Sequence, residues 1–244
     1  FKSVTKYFDR LTRPEQILQT LPQAIQVMLD PADCGPACIS MSQDVQGETF
    51  DYPEEFFVER IHNIRRPRPD DFQIKQAAEK IKKSKNPIII SGGGVFYSDA
   101  MDDLSNFAIK HNIPVTQTVM GYSSMKRDHS HFSGPLGGLG GKAANNLAKK
   151  TDLAIAVGTK LGDFTTGSWA NFENPKFSLV SINVSRFDAN KHMAQSVIGD
   201  AKVTLNELSQ ALGNWKAPDY WYKKSRDELK SWNEYVDKES GPTN

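Results

Sequence analysis

Short apolar runs alternate with helical stripes of apolar residues through the second half of the chain. The stripe before the first run is Ile74, Ala77, Ala78 and Ile81, at the spacing of one helix face. The runs cover residues 87–91, 113–119, 153–158, 177–184 and 197–200. Strands that are apolar along their whole length and alternate with amphipathic helices predict a parallel sheet covered on both faces. We therefore predict one α/β domain with a doubly wound parallel sheet over residues 72–212.

The first fifty residues show one amphipathic helix and one apolar run. Thr12 and Glu15 have the spacing of a capping box, and an apolar stripe interrupted by Pro22 follows them. That stripe consists of Ile17, Leu18, Leu21, Ala24, Ile25 and Met28. The run at residues 37–41 predicts a single buried strand. Because one helix and one strand cannot bury their own faces, we expect residues 1–50 to be an incomplete segment without a sheet of its own.

Two further segments lack the regular pattern. Residues 51–71 collect prolines and four arginines, which predicts an interdomain linker in which a solvated arginine cluster is favoured over an anion site. Residues 213–244 are rich in charge and contain Trp215, Trp221 and Trp232. These tryptophans are consistent either with docking onto another domain or with packing back on the α/β domain.

Composition excludes several classes of partner. The 30 basic and 29 acidic residues give a formal net charge of +1, so we expect no nucleic acid partner. No apolar run reaches the roughly 20 residues of a membrane span, and no signal peptide begins the chain, so we expect no membrane partner and a cytoplasmic protein. Cys34 and Cys38 are expected to be reduced and free of zinc. The first residue, Phe1, is not methionine, which suggests a piece of a longer protein.

The strand at residues 87–91 ends in three glycines, Gly92, Gly93 and Gly94, and Ser98–Asp99 is predicted to begin the next helix. A strand, a glycine turn and a helix amino terminus form a cradle for phosphate groups. However, Tyr97 stands where a dinucleotide fingerprint has its third glycine, and no acidic partner for a ribose is evident. The residues alone favour a structural turn over a nucleotide site. Asp163 is a further candidate at a loop mouth, with a helix cap or turn as its alternative.

Catalytic and metal motifs are not found. The sequence has no G-x-S-x-G, no H-E-x-x-H and no Walker lysine. His129 and His131 could face the same side of an extended segment and bind a metal, but a surface loop is favoured. No catalytic residue and no metal ligand is predicted.

Five segments in order resemble the central domain of thiamine-diphosphate enzymes of the acetolactate synthase family, a Rossmann-like domain. They are NPIIISGGGV, IPVTQTVMG, GLGGKAANNLAKKTDLAIAVGTKLGDFTTGS, INVSRFDANK and VIGDAKVTLNEL. Upstream, GPACISMSQDVQGE resembles the closing strand of that family's pyrimidine-binding domain. The segments KYFDRLTRPEQ, SQDVQGETFDYPEEFFVERIH and INVSR are similar to a branch that hydrolyses a carbon–carbon bond in a cyclic dione of inositol catabolism.

This resemblance implies a three-domain enzyme that binds thiamine diphosphate and magnesium at a dimer interface, between the first domain of one subunit and the third domain of its partner. It implies that residues 1–50 are the end of the pyrimidine-binding domain and that residues 213–244 lead to an absent pyrophosphate-binding domain. The complete protein is then expected to be a homo-oligomer, and this fragment is expected to be inactive and to hold neither thiamine diphosphate nor magnesium.

The resemblance also bears on the glycine turn, because some relatives hold a flavin or nucleotide in this region. Phe164 stands where flavin-binding relatives have an arginine, which removes a cationic contact. We therefore interpret Gly92, Gly93, Gly94 and Asp163 as a vestigial nucleotide cradle.

Three alternatives stay open or are weighed against this interpretation. The chain could belong to another acetolactate synthase-like enzyme, or it could be a stand-alone nucleotide-binding module. A sirtuin-like deacylase has a similar architecture, but it needs four zinc cysteines, and this chain has two.

Overall fold

The structure is a computed structural model that describes residues 1–241. The chain forms two compact units, which we call the N-terminal unit, Phe1–Arg65, and the α/β unit, from Arg66 onward. The boundary between them lies within the segment 51–71 that the sequence marks as a linker. Each unit is described by itself below.

The N-terminal unit is built around a β–α–β element. Its strands are β1 (Tyr7–Leu11) and β2 (Ala37–Met41), and its helices are α1 (Ile17–Met28) and α2 (Gln43–Gln46), with short 3-10 turns at Pro14–Gln16 and Glu54–Phe56. The two strands pair in parallel with Tyr7 opposite Ala37 and Leu11 opposite Met41. The expectation that the segment has no sheet of its own is therefore wrong, since β2 has β1 as its partner. The polar residues in YFDRL hide β1 from a search for apolar runs.

The sheet of the N-terminal unit has only two strands, and its surfaces are poorly covered. Leu11 is the single buried residue among the ten residues of β1 and β2. The predicted apolar stripe of α1 is buried only at Ala24, whereas Leu21 and Met28 are exposed. Such a sheet is well below the size at which a parallel sheet is stable by itself.

Polar contacts fix α1 in this unit. Gln16 accepts backbone hydrogen bonds from Thr12 at 2.7 Å and from Arg13 at 3.1 Å, so it takes the capping role predicted for Glu15. Thr20 donates to the Asp9 carboxylate of β1 at 2.5 Å. The start of α1 and its position on the sheet therefore depend on side-chain hydrogen bonds more than on the apolar stripe.

The α/β unit contains six strands and eight helices within its described residues. The strands are β3 (Pro87–Ser91), β4 (Val115–Gln117), β5 (Phe132–Pro135), β6 (Leu153–Val157), β7 (Ser178–Asn183) and β8 (Gln195–Ile198). The helices are α3 (Asp71–Lys83), α4 (Gly93–Tyr97), α5 (Met101–His111), α6 (Lys142–Lys150), α7 (Asp163–Thr166), α8 (Arg186–Ala189), α9 (Ala201–Leu212) and α10 (Asp219–Glu239).

The six strands are all parallel and lie in the order β5-β4-β3-β6-β7-β8. The chain first moves outward from β3 to β5, crosses back to β6 beside β3, and then moves outward to β8. This is the strand order of doubly wound nucleotide-binding folds, and its direction reverses between β3 and β6. The predicted doubly wound parallel sheet is confirmed.

Alternating side chains of the central strands fill two cores, one on each face of the sheet. Ile89 packs with buried residues of α3, α5 and α9, such as Ile81, Leu104 and Leu205. Ile88 and Ile90 point to the other face and pack with α6 and α10. Both faces are therefore covered, as the continuous apolar strands predict.

The helix predicted to begin at Ser98–Asp99 begins elsewhere. Gly92 is the residue before α4, the glycine run itself enters that short helix, and Ser98 ends it. Asp99 has a φ of 52°, and α5 begins at Met101. Two short helices thus replace the single predicted one, because the glycines can enter a helix directly after β3.

The tail of the α/β unit packs back on the sheet. Trp221 of α10 is buried, and its indole N–H donates to the Pro87 carbonyl at 2.8 Å. Trp232 lies against Gly141 at the start of α6. Of the two interpretations of these tryptophans, packing back on the domain is confirmed for residues up to 241.

The arginines near the unit boundary are not all solvated. Arg66 pairs with the buried Asp200 at 3.2 Å and also donates to the Ser98 carbonyl, and Arg68 pairs with Glu207 at 2.5 Å. Asp200 also caps α9 by accepting from the amides of Lys202 and Val203, as its position before the helix predicts. The prediction of a solvated arginine cluster is wrong for Arg66.

No helix within residues 1–241 is both long enough and apolar enough to cross a membrane.

Candidate functional site

A cleft of about 640 Å³ opens at the carboxyl ends of β3, β4, β6 and β7. This is the point at which the order of the strands reverses, where open α/β sheets bind their ligands. The structure brings the predicted residues Gly93, Gly94 and Asp163 together in the wall of this cleft. Gly92 lies directly before them at the end of β3 and does not line the cleft.

Gly92 and Gly94 allow the ends of β3 and β6 to approach each other. A Cβ at Gly92 would lie 2.4 Å from the Gly158 carbonyl oxygen, and a Cβ at Gly94 would lie 2.6 Å from the Gly158 Cα. Their amides donate to the carbonyls of Val157 and Gly158, each at 2.9 Å. These two glycines are therefore required by the packing of backbone against backbone, and their N–H groups already have partners.

Gly93 is the glycine that faces the cleft. A Cβ there would lie 3.1 Å from the Met120 carbonyl oxygen and 3.7 Å from the Tyr97 ring. Among the described residues, its amide has no backbone partner outside its own helix. Since α4 has only five residues, it adds little dipole to that single amide.

The charges of the cleft do not favour a diphosphate group. Lys160 is the one cation in its lining among residues 1–241, and Asp163 and Asp188 are anions. Asp163 is exposed in the first turn of α7, where a carboxylate stabilises a helix start, which is the alternative role noted for it. With one free glycine amide and one lysine, these residues do not fit the diphosphate of thiamine diphosphate or of a dinucleotide.

A second cleft of about 400 Å³ lies beside the first, between the β4–β5 edge of the sheet and α10. Its lining includes Tyr122, Phe132 and Trp232. The loop Val119–Gly121, a 3-10 turn, and the following Tyr122 separate the two clefts. The sequence gave no motif for this cleft, because it is formed by residues more than one hundred positions apart.

A buried hydrogen-bond network fixes the loop between the clefts. The hydroxyls of Ser91 and Ser124 lie 2.7 Å apart, and Gln117 donates to Ser124 at 3.1 Å and to the Met125 carbonyl at 3.0 Å. All of these groups are buried and satisfied, so the loop is held rigidly on the ends of β3 and β4.

His131 is buried at the start of β5, so the prediction of a surface loop is wrong for this residue. Its ring lies 4.6 Å from the Tyr222 ring of α10 and 5.9 Å from the His129 ring. Burial, together with the neighbouring His129 and Arg226, lowers the pKa of His131 to about 4. Its backbone N–H donates to His129 Nδ1 at 3.1 Å. The two histidines therefore have structural partners.

No cluster of three or more histidine, cysteine, aspartate or glutamate side chains suited to a metal ion exists in the part of the chain that the structure describes. Cys34 and Cys38 form no disulfide, as predicted, and Cys34 donates to the Met28 carbonyl at 3.1 Å. The absence of a metal from this chain stays a prediction.

The strand order and the cleft at the reversal point are accompanied by a family match. Residues 74–208, more than half of the chain, match the thiamine pyrophosphate enzyme central domain. The chain belongs to this family. The matched residues begin in α3 and end in α9, so the family's sequence pattern covers the whole six-stranded sheet of the α/β unit.

Three relatives extend the likeness beyond the central domain. The chain is 46% identical over 212 residues to a 3D-(3,5/4)-trihydroxycyclohexane-1,2-dione hydrolase of Clostridium perfringens (strain 13 / Type A), a match covering 87% of this chain and 33% of the relative. It is 43% identical over 238 residues to the enzyme of that name from Clostridium botulinum (strain Eklund 17B / Type B), covering 98% and 37%. It is 44% identical over 216 residues to that of Bacillus subtilis (strain 168), covering 88% and 34%.

The matches over 98% of this chain include the N-terminal unit as well as the α/β unit. The chain spans about a third of the length of the curated relatives it matches.

Proposed function

We propose that this chain is the central part of a thiamine-diphosphate-dependent hydrolase that opens the ring of 3D-(3,5/4)-trihydroxycyclohexane-1,2-dione in inositol catabolism. The observation that carries the proposal is the 46% identity over 212 residues to a hydrolase named for this substrate. The relatives from two further species carry the same name at 43–44% identity. The family match to the central domain of thiamine pyrophosphate enzymes supports the class of cofactor.

In this proposal the chain is a scaffold and does not supply the catalytic groups. The cleft offers one free glycine amide and Lys160 against two carboxylates, which supports placing the cofactor elsewhere. We assign thiamine diphosphate, magnesium and the catalytic residues to regions that the longer relatives have beyond the matched segment. The fragment by itself is expected to be inactive.

We infer the following division of the complete protein. Residues 1–50 belong to the pyrimidine-binding domain, 51–71 are a linker, 72–212 are the central domain, and 213–244 lead to the pyrophosphate-binding domain. The incomplete two-stranded sheet of the N-terminal unit supports the first assignment, because further strands are needed to cover it. The whole protein is proposed to be a cytoplasmic homo-oligomer.

We propose further that Gly92, Gly93, Gly94 and Asp163 are a vestigial cradle without useful nucleotide affinity. The engaged amides of Gly92 and Gly94 support this proposal. Titration of the chain with FAD, NAD and ADP tests it against the alternative of a stand-alone nucleotide-binding module. Micromolar binding of any of the three would overturn it, and the absence of saturable heat up to about 1 mM, a free energy near −4 kcal/mol, would support it.

The substrate assignment is tested by turnover in the full-length protein. With thiamine diphosphate and magnesium, the full-length protein should consume the cyclic dione and release an open-chain acid, followed by nuclear magnetic resonance. Pyruvate, the substrate class of acetolactate synthases, should not be consumed under the same conditions. Turnover of pyruvate without turnover of the dione would assign the chain to another branch and overturn the proposal.

A further inference from the structure

Five large apolar side chains stand exposed at the carboxyl edge of the α/β sheet. They belong to the loops that line or separate the two clefts, and their exposed fractions lie between 70% and 79%: Tyr97, Met120, Tyr122, Leu139 and Phe164. Single exposed apolar residues are ordinary, but a group of this size around one cleft is characteristic of a surface that another protein part covers. We call this group the apolar rim.

The loop that presents Met120 and Tyr122 is anchored from below. Gly121 between them is buried, and a Cβ at this position would lie 2.1 Å from the Ser91 carbonyl oxygen. Its amide donates to the Thr118 hydroxyl at 3.0 Å. The backbone is thus fixed on the end of β3, and its two neighbours are directed outward by a well-packed turn.

Leu139 and Phe164 are held outward in a similar way. The Gly138 amide donates to the Phe164 carbonyl at 2.7 Å, which joins the loop after β5 to α7. Gly137 has a φ of 105°, and a Cβ there would lie 2.0 Å from the Phe164 carbonyl oxygen. Only glycine permits this approach. Two separate anchored segments therefore present apolar side chains at the same edge of the sheet.

The final helix directs the chain to the same edge. Near its start, Trp221 bonds to Pro87 at the amino end of β3, and eleven residues later Trp232 lies against Gly141 in the loop that follows β5. A helix of 21 residues is about 31 Å long, so α10 crosses the sheet from the amino edge to the carboxyl edge. Polypeptide that continues beyond residue 241 would emerge beside the apolar rim.

We propose that the apolar rim is the docking surface for the domain that follows residue 241 in the full-length protein. The inference rests on the proposed function in one respect, since it takes the chain to be part of a longer protein. The relatives supply the missing length, because the chain covers only 33–37% of each. An apolar face of the following domain would cover Met120, Tyr122 and Phe164 and so hold that domain over the carboxyl edge of the sheet.

Methionine oxidation tests this proposal, because Met120 belongs to the rim and Met125, five residues later, is buried. Oxidation by hydrogen peroxide is measured by peptide mass spectrometry in residues 1–244 and in the full-length protein, against N-acetylmethionine in the same tube. In residues 1–244, Met120 and the fully exposed Met193 should oxidise at comparable rates and Met125 slowly. In the full-length protein, oxidation of Met120 should be at least about tenfold slower.

Equal rates for Met120 in the two proteins would overturn the proposal. Protection of Met120 in residues 1–244 alone, lost on dilution, would show that a second copy covers the rim and would overturn the choice of occupant. Retained turnover of the dione with an unprotected Met120 would sink this inference alone, and a protected Met120 without turnover would sink the proposed function alone.

A pair of variants in the full-length protein gives an independent reading. Met120→Ser and Tyr122→Ser remove apolar surface from exposed positions, so both should fold. Each is expected to speed tryptic cleavage after Lys238, near the end of α10, by several-fold as docking loosens. Met193→Ser is the matched control and should leave the cleavage rate unchanged; an equal effect of all three variants would contradict the docking surface.

Discussion

Gly94 lies directly against Gly158, with the Gly94 amide donating to the Gly158 carbonyl at 2.9 Å and the space for a Cβ at Gly94 filled by the Gly158 Cα at 2.6 Å. The contact joins the carboxyl ends of β3 and β6, the two strands at which the chain reverses direction. Because it leaves no room for a side chain, a glycine run that looks like a nucleotide motif has a structural cause.

Gly94→Ala is therefore expected to destabilise the α/β unit by about 2 kcal/mol or more, since the methyl group forces two backbones apart. Gly162→Ala is the matched control, because nothing lies within 4 Å of a Cβ there, and it should cost at most about 0.5–1 kcal/mol as a poorer helix cap. Urea unfolding followed by tryptophan fluorescence measures both, since all four tryptophans lie in the α/β unit. Equal stabilities of the two variants would contradict the account.

Asp200 is the second position at which stability should depend on a single side chain. It is buried, pairs with Arg66, accepts from the Ser98 hydroxyl at 2.8 Å and caps α9. Asp200→Ala is expected to lower the free energy of unfolding by about 3 kcal/mol, because it leaves buried donors without an acceptor.

The comparison for Asp200 is Asp70, which caps α3 from an exposed position. Asp70→Ala loses a cap alone and should cost about 1 kcal/mol or less. The same urea titration compares the two variants. A loss at Asp200 no larger than the loss at Asp70 would show that the contacts with Arg66 and Ser98 contribute nothing.

His131 makes the stability of the α/β unit depend on pH. Its folded pKa of about 4 lies below the ordinary value of 6.5, so the unfolded chain binds a proton more readily than the folded chain. Its stabilising contribution is complete above about pH 6.5 and is lost as the pH falls toward 4. Linkage gives a loss of about 2.5 kcal/mol between pH 7.5 and 4.5 from this residue alone.

The variant His131→Phe keeps a ring against Tyr222 and removes the titration, so its stability should change less with pH by about that amount. Burial also lowers the pKa of His111, which hydrogen bonds to the Trp215 carbonyl at 2.8 Å, so part of the acid loss should persist in the variant. The exposed His192→Gln serves as control and should leave the pH profile unchanged. Identical profiles for wild type and His131→Phe would be the contrary result.

Much of the α/β unit follows from the sequence because its strands are short, apolar and buried on both faces. Ile88, Ile89 and Ile90 are of this kind, and the stripe of α3 is buried at the four predicted residues. β5 could not be predicted, because FSGP has one apolar residue and its burial depends on α10. β1 was missed for a related reason, since YFDRL mixes charge with apolar residues.

The candidate site was less predictable than the fold. Three glycines in a row suggest a phosphate cradle, but their amides are engaged or free according to how close β6 comes to β3, which the sequence does not show. Asp163 was predicted at a loop mouth, and the structure places it in the cleft wall with Gly93 and Gly94. The second cleft depends on Phe132 and Trp232, one hundred residues apart, and no local pattern reports such a contact.

The central claim is that this chain is a scaffold and that the groups which hold thiamine diphosphate lie outside it. Isothermal titration of thiamine diphosphate with magnesium into residues 1–244 and into the full-length protein tests this claim most directly. We predict stoichiometric binding to the full-length protein and no saturable binding to residues 1–244. Stoichiometric binding to residues 1–244 by themselves would contradict the account.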